Sequence, residues 1–549
     1  MKTLLNAKIT RALESLAAEK GIELADNGLD KVVVEEPRDP DHGHLATNAA
    51  LVTSKFFKMK PSDLADQIIG RLDLSDGYIE KMEKAGPGFI NFTLGLSWWA
   101  KALGDLLAAG DGYGQGAAKG CRVMVEYVSA NPTGPLHVGH GRGAAIGDSL
   151  ARVMDRAGYE VVREYYINDA GRQMRNLGES VWLRLQELTG RADSPFPDGL
   201  YRGEYIIALA REVLDREPDI LSRPKETVVD ELTDFAQKKI LDGIKADLAA
   251  FRVGHEIWFS ERSLYDDGQV DKALADLRAQ GHLYDKDGAL WFRAEAFGDD
   301  KDRVLIKSGG EKTYFAADIA YHWNKFQRGF DLLVDIWGAD HHGYVPRMKA
   351  AVEALGRERE ALAVLLVQMV GLVRDGQQVS MSTRAGEFVT LREVLDEVGA
   401  DAARFNFLTR SPDTTLEFDL DLAKAKTKDN PVYYVQYVGA RIESILAAAG
   451  SAEGELNLML LDKPEEVDLI RHLTGFPELI QNAAQRREPH HLTAYLTTLA
   501  RLFHHYYGIH RIAGEDQPLT QARLALVRSI RLVVRLGLEL LGVESPNKM

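Results

Sequence analysis

The chain has 549 residues, of which 45% are hydrophobic and 27% charged, an ordinary composition for folded domains. At roughly 100–200 residues per domain, this length predicts about three or four domains. The formal net charge of −15 excludes a protein that holds nucleic acid by bulk electrostatic attraction alone, because such proteins are basic. The single cysteine, Cys121, excludes intramolecular disulfides and zinc sites with several thiolates, and it fits a reducing cytoplasm.

Residues 1–115 predict a small α+β domain. It starts with an amphipathic helix whose acidic residues interrupt any signal-peptide core, so we expect no export. A β-like run at Lys31–Glu35, helical periodicity over Ala46–Leu72 and a strand at Gly88–Leu94 follow. A glycine-rich stretch over residues 110–120 predicts a linker at the end of this domain.

Residues 116–420 predict a doubly wound parallel sheet of the Rossmann-like kind. A strand at Arg122–Tyr127 leads through a Pro/Gly turn and a helix to a second strand at Glu160–Ile167, as such a fold begins. An insertion at about 190–300 then brings long helical stretches and a hairpin around Asp287-Gly288. Alternating β and α segments resume after it, so the whole is a multidomain α/β chain.

Residues 421–549 predict an all-α helix bundle, because helical periods continue there without β-like runs. This part carries 15 basic and 15 acidic residues and six of the 15 histidines, so the whole negative excess lies in residues 1–420. A neutral domain rich in His and Arg can bind RNA with salt-sensitive affinity. The longest apolar stretch is far shorter than the ~20 residues of a membrane span, so we expect no membrane association.

The clearest motif is Asn131-Pro-Thr-Gly-Pro-Leu-His-Val-Gly-His-Gly-Arg-Gly143, between the first predicted strand and helix of the parallel sheet. A helix N-terminus offers N–H groups and a positive dipole end to phosphate, and glycines let a bulky ligand approach the backbone. His137 and His140 can both donate to phosphoryl oxygens as charge spreads in a transition state. A Gly/Pro turn with two incidental histidines is the alternative interpretation.

A second block places Tyr314 and Asp318 near the start of a helix. A carboxylate beside a phenol can receive a planar guanidinium, and Glu126 adds a second carboxylate at the mouth of the same sheet. An acidic residue that complements the helix dipole is the alternative. In the run that ends in Gly338, the polar residues Asp340 and His341 lie beyond a strand, where they favour a nucleotide or amino-acid contact over a metal site.

Two C-terminal patterns are candidates for RNA contacts. Asn430–Arg441 opens a helix with Pro431 in its first turn and tyrosines along it, which could equally be packed. Three arginines recur at helical spacing in the last helix, and a merely solvated face is the alternative. These arginines are Arg528, Arg531 and Arg535.

Together these motifs resemble those of the arginyl-tRNA synthetases, a family of class I aminoacyl-tRNA synthetases whose HIGH box matches His137–His140. Similarity extends over Gly43–Leu51, Tyr314–His322, the NPVYYVQY segment from Asn430 and the final helical domain. The resemblance implies ATP-dependent ligation of L-arginine to its cognate tRNA through an arginyl-adenylate, by a cytoplasmic monomer. It implies ATP as cofactor and Mg²⁺ bound with ATP rather than at a fixed protein site.

The resemblance also implies roles for individual residues. Catalysis falls to His137, His140 and Arg384. ATP binding falls to Pro135, Gly139, Gly141, Arg142, Gly338, Asp340, His341, Met381 and Ser382. Arginine binding falls to Glu126, Ser129, Asn131, Tyr314 and Asp318. Contact with tRNA falls to Tyr434, Gln436, Tyr437, Arg441, Arg528, Arg531 and Arg535.

The chain departs from the family in its KMSKS loop. The matching stretch, Gln378–Arg384, contains neither lysine, so the cation for the leaving pyrophosphate must come from elsewhere. Arg384, Arg142 and Lys307 are the candidates, and we favour Arg384. A polar surface loop is the alternative for this stretch taken by itself.

Other functions fit less of the chain. A cysteine-specific synthetase needs a cysteine-rich zinc site, and a pantothenate-synthetase-like ligase needs no helical RNA-binding domain. A catalytically inactive tRNA-binding relative would not need the phosphate-binding motif. Several members of the resembled family activate their amino acid only when tRNA is bound, so we expect pyrophosphate exchange to depend on tRNA.

Overall fold

A computed structural model describes residues 1–23, 29–37, 39–192, 195–379, 388–449, 456–514 and 516–549. This part of the chain divides into two compact units. The first unit comprises residues 1–113, 444–475 and 502–532, and the second comprises residues 114–443, 476–501 and 533–549. The domain boundaries predicted near residues 115 and 420 stay predictions.

The first unit begins with an α+β region. Its helices are α1 (Lys2–Lys20), α2 (Ala49–Phe57), α3 (Pro61–Ile69) and α4 (Leu96–Ala109). Its strands are β1 (Val34–Glu35), β2 (Leu45–Thr47), β3 (Ile79–Ala85) and β4 (Phe89–Leu94), which pair antiparallel in the order β1-β2-β4-β3. Leu5, Ile9 and Leu13 lie on the buried face of α1, as the amphipathic pattern predicts.

The helix predicted over Ala46–Leu72 is only partly correct. The segment opens inside β2, and its helix ends where Lys58 adopts a left-handed φ of 51°. Pro61 then starts α3 as its first residue, a position where proline needs no N–H partner. β3 was not predicted, because it lies at the sheet edge and most of its residues face solvent.

The second unit contains a parallel five-stranded sheet in the order β12-β11-β5-β6-β7. Its strands are β5 (Arg122–Glu126), β6 (Glu160–Ile167), β7 (Ile257–Ser260), β11 (Leu332–Gly338) and β12 (Leu362–Val367). Numbered by appearance in the chain, the order is 3-2-1-4-5, which is the doubly wound arrangement. The predicted fold class is confirmed. Ligands of such folds bind outside the carboxyl ends of the strands where the order reverses, here between β5 and β11.

Helices connect these strands and fill the insertions. They are α5 (Val138–Arg156), α6 (Arg172–Leu188), α7 (Glu204–Arg216), α8 (Lys225–Ala250), α9 (Glu261–Asp266), α10 (Gln269–Ala279), α11 (Tyr314–Gln327), α12 (Val345–Ala354) and α13 (Leu391–Phe407). The predicted hairpin is present, with φ of 54° at Asp287 and 74° at Gly288, between the first two strands of a small antiparallel sheet. That sheet consists of β8 (Leu283–Lys286), β9 (Ala289–Phe292) and β10 (Arg303–Ile306).

A further small sheet and the C-terminal helices complete the described chain. The sheet strands are β13 (Val370–Arg374), β14 (Gln377–Gln378) and β15 (Leu416–Asp419). The helices are α14 (Leu420–Lys424), α15 (Pro431–Ala449), α16 (Pro464–Thr474), α17 (Phe476–Arg486), α18 (His491–Ile509) and α19 (Gln517–Leu540). Among the described residues, no helix combines the length and apolar character that a membrane crossing requires.

Candidate active site

α5 begins with a reciprocal cap made by two histidines. His137 lies at the N-cap, and its Nδ1 accepts from the backbone N–H groups of Gly139 (3.1 Å) and His140 (3.4 Å). The Nδ1 of His140 in turn accepts from the N–H of His137 at 3.2 Å. The two rings stack with their centroids 3.7 Å apart. The sequence thus builds a capping box from histidines in place of the usual hydroxyl and carboxyl side chains.

This cap determines what the imidazoles can donate. Since each Nδ1 accepts a hydrogen bond, a neutral ring carries its proton on Nε2. Burial lowers the pKa of His137, and burial followed by the His137 charge lowers the pKa of His140 to about 3. Both rings are therefore neutral at pH 7, and each retains one Nε2–H group that can donate to a ligand.

Two residues predicted to contact ATP have packing roles in the structure, and their ATP contacts stay predictions. A Cβ at Gly141 would lie 2.7 Å from Leu391 Cδ1, so this glycine lets α5 approach α13 closely. Arg142 is fully buried, and its guanidinium donates to the backbone oxygens of Gln368 (2.8 Å) and Ser411 (2.9 Å). Fixed in this way, the Arg142 side chain ties α5 to two loops.

The other predicted residues of the motif stay at the ligand-facing end of α5. Gly139 follows the cap directly, and a Cβ there would lie 2.9 Å from the His137 ring, so the histidine cap itself requires this glycine. Pro135 is half-buried in the preceding loop. Gly143 has open space where its Cβ would be.

The loop between β5 and α5 contains strained backbone. Val128 (φ 71°) and Ser129 (φ 40°) adopt left-handed conformations, which side-chain-bearing residues, β-branched ones above all, rarely occupy. The turn directs Ser129 Oγ back to Glu126, to which it donates at 2.9 Å. Asn131 is exposed and its amide donates to Gln173 at 2.9 Å. Ser129 and Asn131 thus lie where β5 opens toward the ligand crevice.

Glu126, predicted to bind arginine, forms an ion pair with a lysine of the same chain. Lys325 is fully buried and lies 2.5 Å from Glu126 and 3.0 Å from Asp335. Burial raises the pKa of Glu126. Burial would also raise the pKa of Asp335, but the charge of Lys325 and a hydrogen bond from His322 outweigh it and lower this pKa to about 2. The structure gives Glu126 an internal ion pair, and its contact with arginine stays a prediction.

A cavity of about 300 Å³ opens beyond the carboxyl ends of β6 and β7. It is lined by Tyr166, Asn168, Ala170, Gln173, Glu261, Tyr314 and Asp318. Glu261 is only 3% exposed, whereas the Tyr314 ring is 65% exposed at the cavity mouth. The hydroxyl of Tyr344 donates to Asp318. Two carboxylates among aromatic rings form a receptor for a planar cation.

Burial shifts the pKa values of both carboxylates of this cavity upward. Burial, followed by the charge of Asp318, raises the pKa of Glu261 to about 7. Burial also raises the pKa of Asp318. A cationic ligand between them would reverse both shifts, because an opposite charge favours the ionised form.

Sequence reasoning found Tyr314 and Asp318 but missed Glu261. The residue follows the short strand β7, and in the sequence this acidic residue does not differ from many others in the insertion. The feature that could have identified Glu261 is its position at the carboxyl end of a strand in the parallel sheet. That strand could not be placed in the sheet from the sequence, since about ninety residues separate it from β6.

The loop after β11 carries further predicted nucleotide contacts. Gly338 ends the strand, and Asp340 and His341 are exposed on a helical turn over Ala339–Tyr344. Their Oδ2 and Nε2 atoms are 3.8 Å apart. Because β11 adjoins β5, this loop borders the same crevice as the histidine cap. In the part of the chain that the structure describes, no group of three or more His, Cys, Asp or Glu side chains is placed to hold a metal ion.

Three predicted residues of the KMSKS-like loop lie outside the described residues, namely Met381, Ser382 and Arg384. The segment that follows them pairs with the entry to α5. The N–H of Val138 donates to Val389 O at 3.2 Å, and the N–H of Leu391 donates to Leu136 O at 2.8 Å. Val389 and Leu391 thus lie directly beside the histidine cap.

The residues predicted on α15 to contact tRNA differ in exposure. Tyr437 is 36% exposed, and its ring stacks on Tyr433 with centroids 6.2 Å apart. Tyr434 and Arg441 are half-buried. Gln436 is buried and its amide donates to Asp401 (2.8 Å) and to the backbone oxygen of Glu544 (2.9 Å), so it has a structural role, and its RNA contact stays a prediction.

The predicted arginine stripe lies on α19. Arg528 is exposed, and Arg531 is half-buried. Arg535 is half-buried and forms an ion pair with Glu539 at 2.7 Å, one helical turn further on. Exposed Arg528 is therefore the member of this stripe best placed for an RNA contact.

Family models match the chain in three successive segments. The arginyl tRNA synthetase N terminal domain matches residues 3–94, the catalytic domain of tRNA synthetases class I (R) matches 102–419, and the DALR anticodon binding domain matches 435–549. The doubly wound sheet and the histidine cap belong to the middle segment. They define a class I aminoacyl-tRNA synthetase.

Individual relatives narrow this class. The arginine–tRNA ligase of Desulfovibrio desulfuricans is 50% identical over 98% of this chain and 100% of its own length. That of Desulfosudis oleivorans is 50% identical and covers 100% of both chains. The solved structure of Thermus thermophilus arginyl-tRNA synthetase is 25% identical, covers 100% of both chains and superposes with a TM-score of 0.77. The chain belongs to the arginine–tRNA ligase family, which confirms the resemblance seen in its motifs.

Proposed function

We propose that this chain attaches L-arginine to its cognate tRNA in two steps. The arginine carboxylate attacks the α-phosphorus of ATP, the bond to the bridging oxygen breaks, and pyrophosphate leaves. The 2′-hydroxyl of the terminal adenosine of tRNA then attacks the carbonyl carbon of arginyl-adenylate, and AMP leaves. One observation carries this proposal: a histidine cap at a helix N-terminus and a cavity with two carboxylates lie at the carboxyl edge of one parallel sheet.

At the nucleotide end, His137 and His140 are the proposed catalytic residues. Their Nε2–H groups donate to the α-phosphate oxygens, whose negative charge increases in the pentavalent transition state. Because the rings are locked by the cap, this stabilisation needs no reorganisation during the reaction. Gly139 keeps the approach open, and Asp340 and His341 contact the nucleotide from the neighbouring loop.

At the amino-acid end, Asp318 and Glu261 receive the guanidinium of arginine, and Tyr314 covers it from the exposed side. Ser129 and Asn131 lie toward the α-amino and carboxylate end of the substrate. Two carboxylates facing one delocalised cation favour arginine over lysine, whose compact ammonium cannot bridge them bidentately. A neutral isostere such as citrulline would leave both carboxylates without a partner.

The leaving pyrophosphate needs a cation from the chain. Of the three candidates, Arg142 is buried, and Lys307 forms an ion pair with Glu311 at 2.8 Å. We therefore retain Arg384. Mg²⁺ enters bound to the ATP phosphates, where it neutralises charge on the leaving group, since hard oxygen ligands of phosphate suit this ion.

The remaining proposals concern tRNA and the state of the enzyme. Tyr437 and Arg528 supply a stacking surface and a phosphate contact for tRNA, the first being an exposed aromatic ring and the second an exposed cation. The enzyme acts as a monomer in the cytoplasm, in keeping with one cysteine in 549 residues. Residues 1–115 contact tRNA as a separate domain.

The deciding measurement is AMP formation with each of the twenty amino acids and citrulline, with and without tRNA. We expect activation of arginine alone, and only when tRNA is present. Preferential activation of lysine or glutamate would contradict the proposal. A wild type that forms no AMP, together with a double variant, His137→Ala with His140→Ala, that keeps full physiological activity, would instead support a non-catalytic RNA-binding role.

A further inference from the structure

A second cavity, of about 300 Å³, lies along the edge strand β12 of the parallel sheet. Its walls carry three basic side chains, Lys349 from α12 and Arg486 and Arg487 from the end of α17. One acidic residue, Glu360, accompanies them. The carboxyl-end crevice contributes no residue to this cavity, so it is separate from the active site.

The three cations of this cavity have no ion-pair partner among the described residues. No hydrogen bond or ion pair joins Lys349, Arg486 or Arg487 to a side chain there, although the chain as a whole carries a net charge of −15. The Nε of Arg487 is buried without any hydrogen-bond acceptor. Burial lowers the pKa of Arg487 and outweighs the opposing effect of Tyr159. A buried donor of this kind is normally satisfied by an acceptor, here one that the chain does not supply.

The backbone of Arg487 adds a second, independent observation. The residue follows the last turn of α17 with a left-handed φ of 62°, and the N–H of Glu488 donates back to Ala483 O at 2.9 Å. Helices commonly end in this way with glycine, which adopts the conformation without strain. An arginine at this position gives up backbone stability and holds a guanidinium in the cavity, which is typical of functional positions.

We propose that this cavity binds phosphates of the tRNA backbone. The inference rests on the proposed tRNA ligation and adds a contact outside the active site, where the end of α17, within the segment matched by the anticodon binding domain, lines a cavity with the edge strand of the parallel sheet. Three cations from two structural elements suit successive phosphates along one strand, and such contacts position a nucleic acid without reading its sequence. Glu360 limits the affinity, so the tRNA can leave after the reaction.

The sharpest test is Arg487→Gly, because the two roles of this residue respond in opposite directions. Glycine relieves the left-handed strain, so the thermal midpoint should stay equal or rise. Removal of the charge should raise the KM for tRNA about fivefold and reduce the salt slope of tRNA binding by about one. The kcat at saturating tRNA and the KM values for arginine and ATP should stay unchanged.

Two matched variants in the same cavity complete the test. Arg487→Lys keeps the charge and should retain most of the tRNA affinity. Glu360→Gln removes the opposing charge and should lower the KM for tRNA about two- to threefold. An unchanged KM for tRNA and an unchanged salt slope of tRNA binding in Arg487→Gly would overturn the inference. This holds even if inorganic phosphate raised the wild-type thermal midpoint, because the cavity would then bind a free anion and not tRNA. A wild type that charges no tRNA would instead overturn the proposed function.

Discussion

Burial shifts the pKa values at the two ends of the active site in opposite directions. At the nucleotide end, burial lowers the pKa of His140 to about 3, and the resulting neutral ring is the form that donates to phosphate. At the arginine end, burial raises the pKa of Glu261 to about 7, although a carboxylate must be ionised to bind a guanidinium. The histidines are thus ready before substrate arrives, whereas the carboxylates reach their working charge with it. The nucleotide end is preorganised by the backbone, whereas at the arginine end the cationic ligand favours ionisation of the carboxylates.

The largest expected effect comes from Asp318→Asn, which keeps the shape of the side chain and removes its charge. We expect kcat/KM for arginine to fall about 10³-fold, because a buried cation would lose a charged partner. The KM for ATP should change little in tRNA-dependent pyrophosphate exchange. Asp340→Asn is the control, since it should alter the ATP parameters and spare those for arginine. If Asp318→Asn lost kcat/KM equally for arginine and for ATP, the two ends of the site would not have separate roles.

His140→Asn tests the preorganised end. Asparagine can still cap α5, but it places no donor where the Nε2–H group lies, so kcat should fall about 10²- to 10³-fold. The KM for arginine should stay near its wild-type value. Because His140 is neutral at pH 7, this loss should be the same at pH 6.5 and pH 8.5. A loss confined to the lower pH would indicate a protonated imidazole and contradict the neutral cap.

Lys325→Met tests the charge network beside the arginine end. The substitution leaves Glu126 and Asp335 buried without their cation, so the free energy of unfolding should fall by about 3–5 kcal/mol in urea titrations. Lys307→Met is the matched control, because its ion pair with Glu311 is exposed and should contribute little. Equal stability of the two variants would show that the buried lysine is dispensable.

Gly141→Ala tests whether α5 is positioned by close packing. The added Cβ would meet Leu391, and the buried contact should cost about 1–2 kcal/mol of unfolding free energy after the gain in helix propensity. Gly143→Ala meets open space and should stabilise the chain by up to about 1 kcal/mol. If both variants were stabilised, Gly141 would be available to a ligand, as the sequence had predicted.

Sequence reasoning succeeded where a local pattern determines the chemistry and failed where distant segments meet. The histidine motif, Tyr314 and Asp318 were found because each lies at a strand–helix junction that the sequence marks. The packing of Arg142 could not be predicted, since only the folded chain brings Gln368 and Ser411 to its guanidinium. The ion pair of Glu126 could not be predicted for the same reason, because its lysine partner lies 199 residues away. A charged residue beside a motif predicts ligand binding only if no other part of the chain forms an ion pair or hydrogen bond with it.

The smallest effect concerns pH and distinguishes the two ends within the wild type. In the folded state the pKa of Glu261 is raised to about 7 from an ordinary 4.5. Between these two pH values the folded state therefore binds more protons than the unfolded state. The contribution of Glu261 to the free energy of unfolding falls as pH rises through that window. Arginine binding requires the ionised form, so kcat/KM for arginine should rise about tenfold per pH unit up to about pH 7 and then level off. Glu261→Gln should abolish this slope and lower the plateau. Calorimetry in two buffers of different ionisation enthalpy should detect a proton released when arginine binds near pH 6.5. A flat profile in the wild type would mean that the carboxylates are ionised before arginine arrives, and the arginine end would then be as preorganised as the histidine cap.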